Sequence, residues 1–272
     1  MNPIILIFLL SVLEGLTEFL PISSTGHMII FGSLFAKGLL SKHFMDNFLV
    51  VVQLGPILAV VLYFWPVLNP FTRDPDTLKK RFLLYVKLGV ALIPTVIAGL
   101  FLENIISDYF MDNVFVVAAA LVFYGVLFLI PESALCGKSD PISATENLSW
   151  SKAFAIGLFQ CLALVPGTSR SGSTILGGLF LGLSKQCAAE FSFLLAIPTM
   201  FGATGLKLVK NGLSFSGAEW AFLLFGNVVS FAVAWIVIKW LMAYLKKKSF
   251  RIFGVYRIVL GAAVLLFTLF GK

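Results

Sequence analysis

Residues 153–183 read AFAIGLFQCLALV, then PGTSRSGST, then ILGGLFLGL: two apolar runs separated by a break of Pro, Gly, Ser and Thr built around Arg170. Neither run can cross a hydrocarbon core of about 30 Å, which needs roughly 20 helical residues. Backbone that leaves the helix at that depth is tolerated only where protein or a water-filled cavity satisfies its N–H and C=O groups. The stretch therefore reads as a broken, re-entrant helix pair. A similar stretch opens the chain, where apolar Pro3–Leu20 is interrupted by Pro21-Ile-Ser-Ser-Thr-Gly-His27 and resumes over Met28–Ala36.

The rest of the chain places both breaks in a bilayer. Of 272 residues, 59% are hydrophobic and 12% charged, against roughly 45–50% and 25% in soluble domains. Gly and Pro are spread through apolar sequence rather than gathered in polar tracts, which excludes disorder and collagen-like repeats. The net charge of +7 does not indicate nucleic acid, because the basic residues stand at the ends of apolar runs. Uninterrupted spans are expected over Phe48–Trp65, Phe82–Leu102, Val114–Ile130, Ala188–Leu208, Trp220–Leu241 and Ile252–Phe270. The first twenty residues lack a basic leader and carry Glu14 and Glu18, so a signal peptide is not expected. Cys136, Cys161 and Cys187 show no metal-ligand spacing and read as unbridged packing residues.

The two interrupted stretches resemble each other. Gly15, Leu16, Glu18 and Leu20 match Gly157, Leu158, Gln160 and Leu162 at an offset of 142, Pro21 and Ser24 match Pro166 and Ser169 at 145, and Pro56 matches Pro198 at 142. The expected fold is one all-α integral membrane domain over residues 1–272. It holds two repeats, about 1–135 and 150–272, each with a re-entrant pair and three transmembrane helices. Three crossings are odd, so the second repeat is inverted, and the breaks of such repeats meet near the midplane. Eleven Lys and Arg (73, 79–81, 138, 152, 185, 246–248 and 251) fall in loops on one side, against five (Lys37, Lys42, Lys207, Lys210 and Lys272) on the other. The positive-inside rule makes the richer side cytoplasmic and puts both termini outside.

Charges inside apolar sequence mark candidate sites. Glu14 and Glu18, spaced i, i+4, share a helix face; the pair suits a divalent cation, an acid and a base, or a protonated structural pair. Ser23, Ser24 and Thr25 stand where a half-helix begins, as caps or as phosphate ligands. His27 follows as a candidate proton carrier for a hydroxyl nucleophile. Ser169, Arg170, Ser171 and Thr174 offer a planar guanidinium and small donors to phosphate oxygens; Arg170 could equally tie up carbonyls or a carboxylate. At the offset of 145, Thr25 stands where Arg170 stands. The first break supplies acid and base, and the second supplies the cation. Lys239 and Arg257 read as snorkelling residues near helix ends, His43 as surface, and Glu190 and Gln53 as ambiguous. Carboxylates, a hydroxyl, a histidine and an arginine loop within a bilayer suit a lipid phosphate ester or anhydride.

Glu14-Gly-Leu-Thr-Glu18-Phe-Leu-Pro-Ile-Ser-Ser-Thr-Gly-His27 and Pro166-Gly-Thr-Ser-Arg-Ser-Gly-Ser-Thr174, with Gln53-Leu-Gly-Pro and Tyr256-Arg-Ile-Val-Leu-Gly, resemble the signature motifs of the bacterial undecaprenyl-diphosphate phosphatase family, the BacA or bacitracin-resistance proteins. The resemblance implies a plasma-membrane hydrolase that converts undecaprenyl diphosphate to undecaprenyl phosphate and inorganic phosphate, recycling the carrier of cell-wall synthesis. It implies Glu14 and Glu18 as catalytic carboxylates and ligands of a divalent cation, Mg2+ or Ca2+. Ser24 would be the nucleophile, His27 its proton partner, and Ser169, Arg170 and Thr174 phosphate ligands. Whether Ser24 or water attacks stays open. The expected partners are a polyprenyl diphosphate lipid and the bilayer, with no nucleic acid and a homodimer left open. The alternative is a transporter for polyprenyl phosphate, because broken inverted repeats also build carriers. A lipid phosphatase with a nucleophilic histidine is disfavoured, since no histidine follows His43.

Overall fold

The computed structural model describes residues 2–24, 26–28, 31, 40–110, 113–130, 134, 141–212 and 215–270, and it is all helical apart from one isolated bridge between Ile142 and Leu183. In chain order the helices of ten or more described residues are α1 (Pro3–Thr17), α2 (Lys42–Val51), α3 (Leu54–Tyr63), α4 (Pro75–Tyr109), α5 (Val114–Leu129), α6 (Trp150–Cys161), α7 (Arg170–Phe180), α8 (Lys185–Asn211), α9 (Gly217–Leu245) and α10 (Arg251–Phe270). Short polar side chains start most of them. Ser41, Ser149, Ser169, Ser184 and Ser216 each accept a first-turn N–H, and Ser216 forms a full capping box with Glu219, satisfying donors that a helix start leaves orphaned. Asp74 caps α4 in the exposed loop before it, and bonds from the Thr77 hydroxyl and N–H hold its carboxyl below the usual carboxylate range.

Five stretches are long and apolar enough to cross a bilayer: Lys42–Tyr63, Pro75–Leu102, Lys185–Lys210, Gly217–Leu245 and Arg251–Phe270. The protein is a multi-pass membrane protein. The sixth expected span, α5, has 16 residues and falls short of that length, and it lies along α10. The span expected from Phe48 begins at Lys42 and is jointed at Val52 and Gln53, between α2 and α3. Pro94 and Pro198 are accommodated inside α4 and α8, as neighbouring helices permit in membranes. Leu100, Phe101, Leu224, Ile236 and Val259 are exposed, which suits a surface facing lipid tails.

The broken stretches are the short ones. α1 stops at Thr17, and helical backbone resumes at Ser24 and at 26–28. α6 runs into a 3-10 turn over Leu162–Leu164 before α7, whose 11 residues reach about half-way across the core. α1 packs against α9, and α6 packs against α4. Glycine permits both contacts. A Cβ on Gly15 would stand 2.6 Å from the Ser230 carbonyl oxygen, and one on Gly157 would stand 2.1 Å from that of Ala91. Close backbone approach at small residues is how helices associate where lipid offers no hydrophobic drive. A central core of Phe19, Phe64, Phe193 and Leu195 fills the space beneath the two breaks.

Candidate active site

The two breaks adopt the same local shape. Ser23 and Ser169 have φ of 68° and 72°, a region that residues other than glycine rarely enter. Each then caps the helix that follows: the Ser23 Oγ accepts from Gly26 N at 3.4 Å, and the Ser169 Oγ accepts from Gly172 N at 3.2 Å. This pairs Ser23 with Ser169 at an offset of 146 (169 − 23), one residue beyond the offset of 145 that sequence matching gives. Ser24, not Thr25, therefore occupies the position of Arg170. Thr25 itself lies outside the described residues.

From these two turns the reacting groups converge. Ser24 Oγ donates to Glu18 Oε2 at 3.0 Å, and Arg170 Nη2 stands 3.6 Å from Glu18 Oε1. Arg170 Nη1 donates to the Ser192 carbonyl at 3.1 Å, and its guanidinium carbon lies 5.7 Å from the centre of the Phe19 ring. One carboxylate from the first half thus faces a hydroxyl of its own break and the guanidinium of the other. A cavity of about 180 Å³ adjoins them, lined by Glu18, Ser23, Ser24, Gln53, Ser169 and Arg170 together with Gly167 and apolar neighbours. Glu14 is 2% exposed, and its Oε1, like Nε and Nη2 of Arg170, is buried without a hydrogen-bond partner. Buried polar atoms are nearly always paired, so the two Arg170 nitrogens, one of them only ion-paired with Glu18 at 3.6 Å, mark a cavity prepared for an anionic ligand, while Glu14 lies outside the cavity's lining.

Other expected site residues lie nearby with different contacts. His27 Nδ1 pairs with the Ser23 carbonyl at 2.8 Å and Nε2 with the Tyr256 hydroxyl at 2.7 Å, and the two rings stack at 5.6 Å. Because a carbonyl only accepts, Nδ1 carries a proton, and in the neutral ring Nε2 accepts from the Tyr256 hydroxyl. The structure brings His27 to the Ser24 turn but does not pair it with the Ser24 hydroxyl. Ser171 bonds to Ser169 Oγ at 3.1 Å and donates to the Leu20 carbonyl at 3.2 Å, joining the second hairpin to the first break. Thr174 bonds to Ser192 Oγ at 2.6 Å. Both sit behind the cavity wall, not on it.

The reading of Arg257 is overturned. It is 0% exposed, so it does not snorkel. Its Nη1 donates to the Pro21 carbonyl at 3.2 Å, and its Nη2 donates to the carbonyls of Gly167 and Thr168 at 2.9 Å each. The available signal was its place in the Tyr256-Arg-Ile-Val-Leu-Gly motif. Gln53, ambiguous in sequence, lines the cavity from the joint between α2 and α3. Glu190 is engaged elsewhere, accepting from Thr145 at 3.2 Å. Exposed His43 agrees with its surface reading, and Lys239, read as snorkelling, is exposed with its ammonium 4.3 Å from the centre of the Trp235 ring. Cys161 and Cys187 are unbridged, while Cys136 lies outside the described residues.

The model of the bacitracin resistance protein BacA family matches residues 7–263, a stretch that includes both breaks and the Tyr256-Arg257 pair. The chain belongs to the BacA family. It is 50% identical over 262 residues to the undecaprenyl-diphosphatase of Fusobacterium nucleatum, covering 96% of this chain and 98% of that one. It is 49% identical over 262 residues to the undecaprenyl-diphosphatase of Desulfitobacterium hafniense, with 95% and 94% covered, and 47% identical over 259 residues to undecaprenyl-diphosphatase 1 of Clostridioides difficile, with 94% and 93% covered. BacA relatives therefore match the membrane helices and both breaks together.

Proposed function

We propose that this BacA-family chain is an undecaprenyl-diphosphatase of the bacterial plasma membrane, which hydrolyses undecaprenyl diphosphate to undecaprenyl phosphate and inorganic phosphate and so returns the lipid carrier to cell-wall synthesis. The observation that carries the reading is Glu18, which holds the Ser24 hydroxyl on one oxygen and faces Arg170 on the other, at the edge of a cavity lined by polar side chains.

In this reading Arg170 and the N–H groups at the start of its half-helix hold the terminal phosphate and stabilise the charge that develops as the P–O–P bond breaks. Ser24 Oγ attacks the terminal phosphorus, or orients the water that does, and passes its proton to Glu18 Oε2. Undecaprenyl phosphate leaves with the bridging oxygen. If Ser24 attacks, water then cleaves the phosphoserine and releases inorganic phosphate. Ser23 and Ser169 complete the wall. His27 acts on Ser24 through the turn it holds, its ring being occupied by the Ser23 carbonyl and Tyr256.

The carboxylates suit a divalent cation. Glu14 presents a buried oxygen without a partner, and Mg2+ is usually bound through one or two carboxylates plus substrate phosphate. Glu14 and Glu18 would hold Mg2+ or Ca2+, which supplies positive charge against the diphosphate.

The same reading includes an inverted repeat. Its support is reciprocal packing: α1 lies on α9 as α6 lies on α4, and the corresponding helices α3 and α8, and α5 and α10, pack on each other. The matched positive-φ turns at Ser23 and Ser169 add to that support. The asymmetry of basic loops supports a cytoplasmic face at 66–81 and 246–251 and both termini outside.

The test is phosphate release by the pure protein in detergent from a labelled prenyl diphosphate, with no ion gradient present. Turnover is expected with divalent cation and is expected to stop with chelator. Transport of polyprenyl phosphate without phosphate release would overturn the hydrolase reading.

A further inference from the structure

Arg257 is the largest fully buried side chain among the described residues, and its hydrogen-bond partners there are carbonyl oxygens rather than carboxylates. A buried guanidinium is expensive. Carbonyl oxygens satisfy its N–H groups but leave its charge uncancelled. That charge sits behind two loops, and the loops are the two helix breaks: Pro21 belongs to one, Gly167 and Thr168 to the other. The contacts span 236 and 90 residues of sequence. The Tyr124 ring lies 5.5 Å from the guanidinium, and Tyr124 in turn receives a bond from Ser173 of α7 at 3.4 Å.

The peptide plane gives this clasp a consequence in the cavity. A trans peptide holds C=O and N–H on opposite sides, and the described residues contain no cis bond. Drawing the Thr168 carbonyl onto Arg257 therefore turns the Ser169 N–H to the opposite face of the loop, and Ser169 lines the cavity. Gly167 makes the approach feasible. Its φ is +88°, and a Cβ there would stand 2.5 Å from the Val117 carbonyl oxygen, so only glycine lets this loop lie against α5 within reach of Arg257.

We propose that Arg257 is a positioning residue for the phosphate: from behind, it fixes the two breaks to each other, sets the spacing of Ser24 and Glu18 against Arg170, and adds an uncancelled positive charge beneath an anion site. It does not touch substrate. The proposal rests on the hydrolase reading for its ligand, and the experiment separates the two. Lysine keeps the charge but cannot bridge three carbonyls as a fork does. In Arg257→Lys the protein should stay folded, with detergent melting within a few degrees of wild type. Its kcat for prenyl diphosphate should fall about 10- to 100-fold and inhibition by inorganic phosphate should weaken about tenfold, the scale of losing one charged hydrogen bond. Arg257→Gln, which lacks the charge, should lose more of the phosphate inhibition than Arg257→Lys at comparable melting. Titration of inorganic phosphate onto the unreacted protein repeats the comparison without turnover, so it stands even if the wild type releases no phosphate. Folded variants with wild-type phosphate affinity and kcat would overturn the proposal. So would failure of both variants to fold while lower-temperature preparations bind phosphate normally, which would leave Arg257 a purely structural residue.

Discussion

The two breaks share a local turn and differ in charge. Each has a glycine that admits a neighbouring helix, Gly15 on Ser230 and Gly157 on Ala91, and a serine at positive φ that caps the next helix. In the first, the residue after the cap is Ser24, and Glu18 upstream reaches it. In the second, the residue after the cap is Arg170, and the residue matching Glu18 is Gln160, whose amide donates to Thr95 at 2.8 Å and accepts from Thr199 at 3.4 Å. The comparison teaches that the shared geometry builds two cradles, and that one site results because only one carries the acid and only the other carries the cation. Two carboxylate cradles would repel, and two guanidinium cradles would lack a base.

The largest expected effect comes from removing either side of that asymmetry. Glu18→Gln and Arg170→Ala should each lower kcat for phosphate release by about 100- to 10,000-fold, the range for a general base or an anion-stabilising donor. Retained turnover in a folded variant would remove that residue from the mechanism. Moving the acid is the next largest. Gln160→Glu should cost about 2 kcal/mol, because Thr95 Oγ1 loses the amide N–H it accepts and a carboxylate is buried with little compensation. Melting in detergent would report that loss. The same change added to Glu18→Gln should not restore turnover, and restoration would show that the cradles are interchangeable. The smallest effect tests the backbone match: Ser23→Gly and Ser169→Gly relieve positive φ while each loses a cap bond, and Ser169→Gly also loses the bond to Ser171 Oγ, so the two should shift stability in the same direction, within about 1 kcal/mol of zero, with Ser169→Gly the less stable. Opposite shifts in melting would mean that the two turns are not equivalent.

Much of this site was legible in residues 14–27 and 166–174. Glu14, Glu18, Ser24 and Arg170 stood out because a charged or polar side chain at membrane depth has few reasons to be there, and the structure brings Glu18, Ser24 and Arg170 together. Three points were not legible. The two breaks were aligned one residue short, because identities of Pro and Ser were matched where the φ of Ser23 and Ser169 decides. His27 was read as partner to Ser24, whereas its ring nitrogens go to Ser23 and Tyr256. Arg257 was read as reaching for water, since helical position alone cannot distinguish a charge near the membrane surface from one clasped by five carbonyls.

Composition and the lengths of apolar runs establish by themselves a multi-pass helical protein with two interrupted stretches, because transfer of a side chain into hydrocarbon is a local property that needs no knowledge of neighbours. The chemistry at the breaks is equally local, since a cap, a carboxylate or a guanidinium keeps its character wherever the chain takes it. Only tertiary structure decides that Arg257 reaches back 236 residues to Pro21 and that His27 meets Tyr256 across 229. A buried donor is satisfied by whichever acceptor the packing delivers, and that delivery depends on where every helix lies.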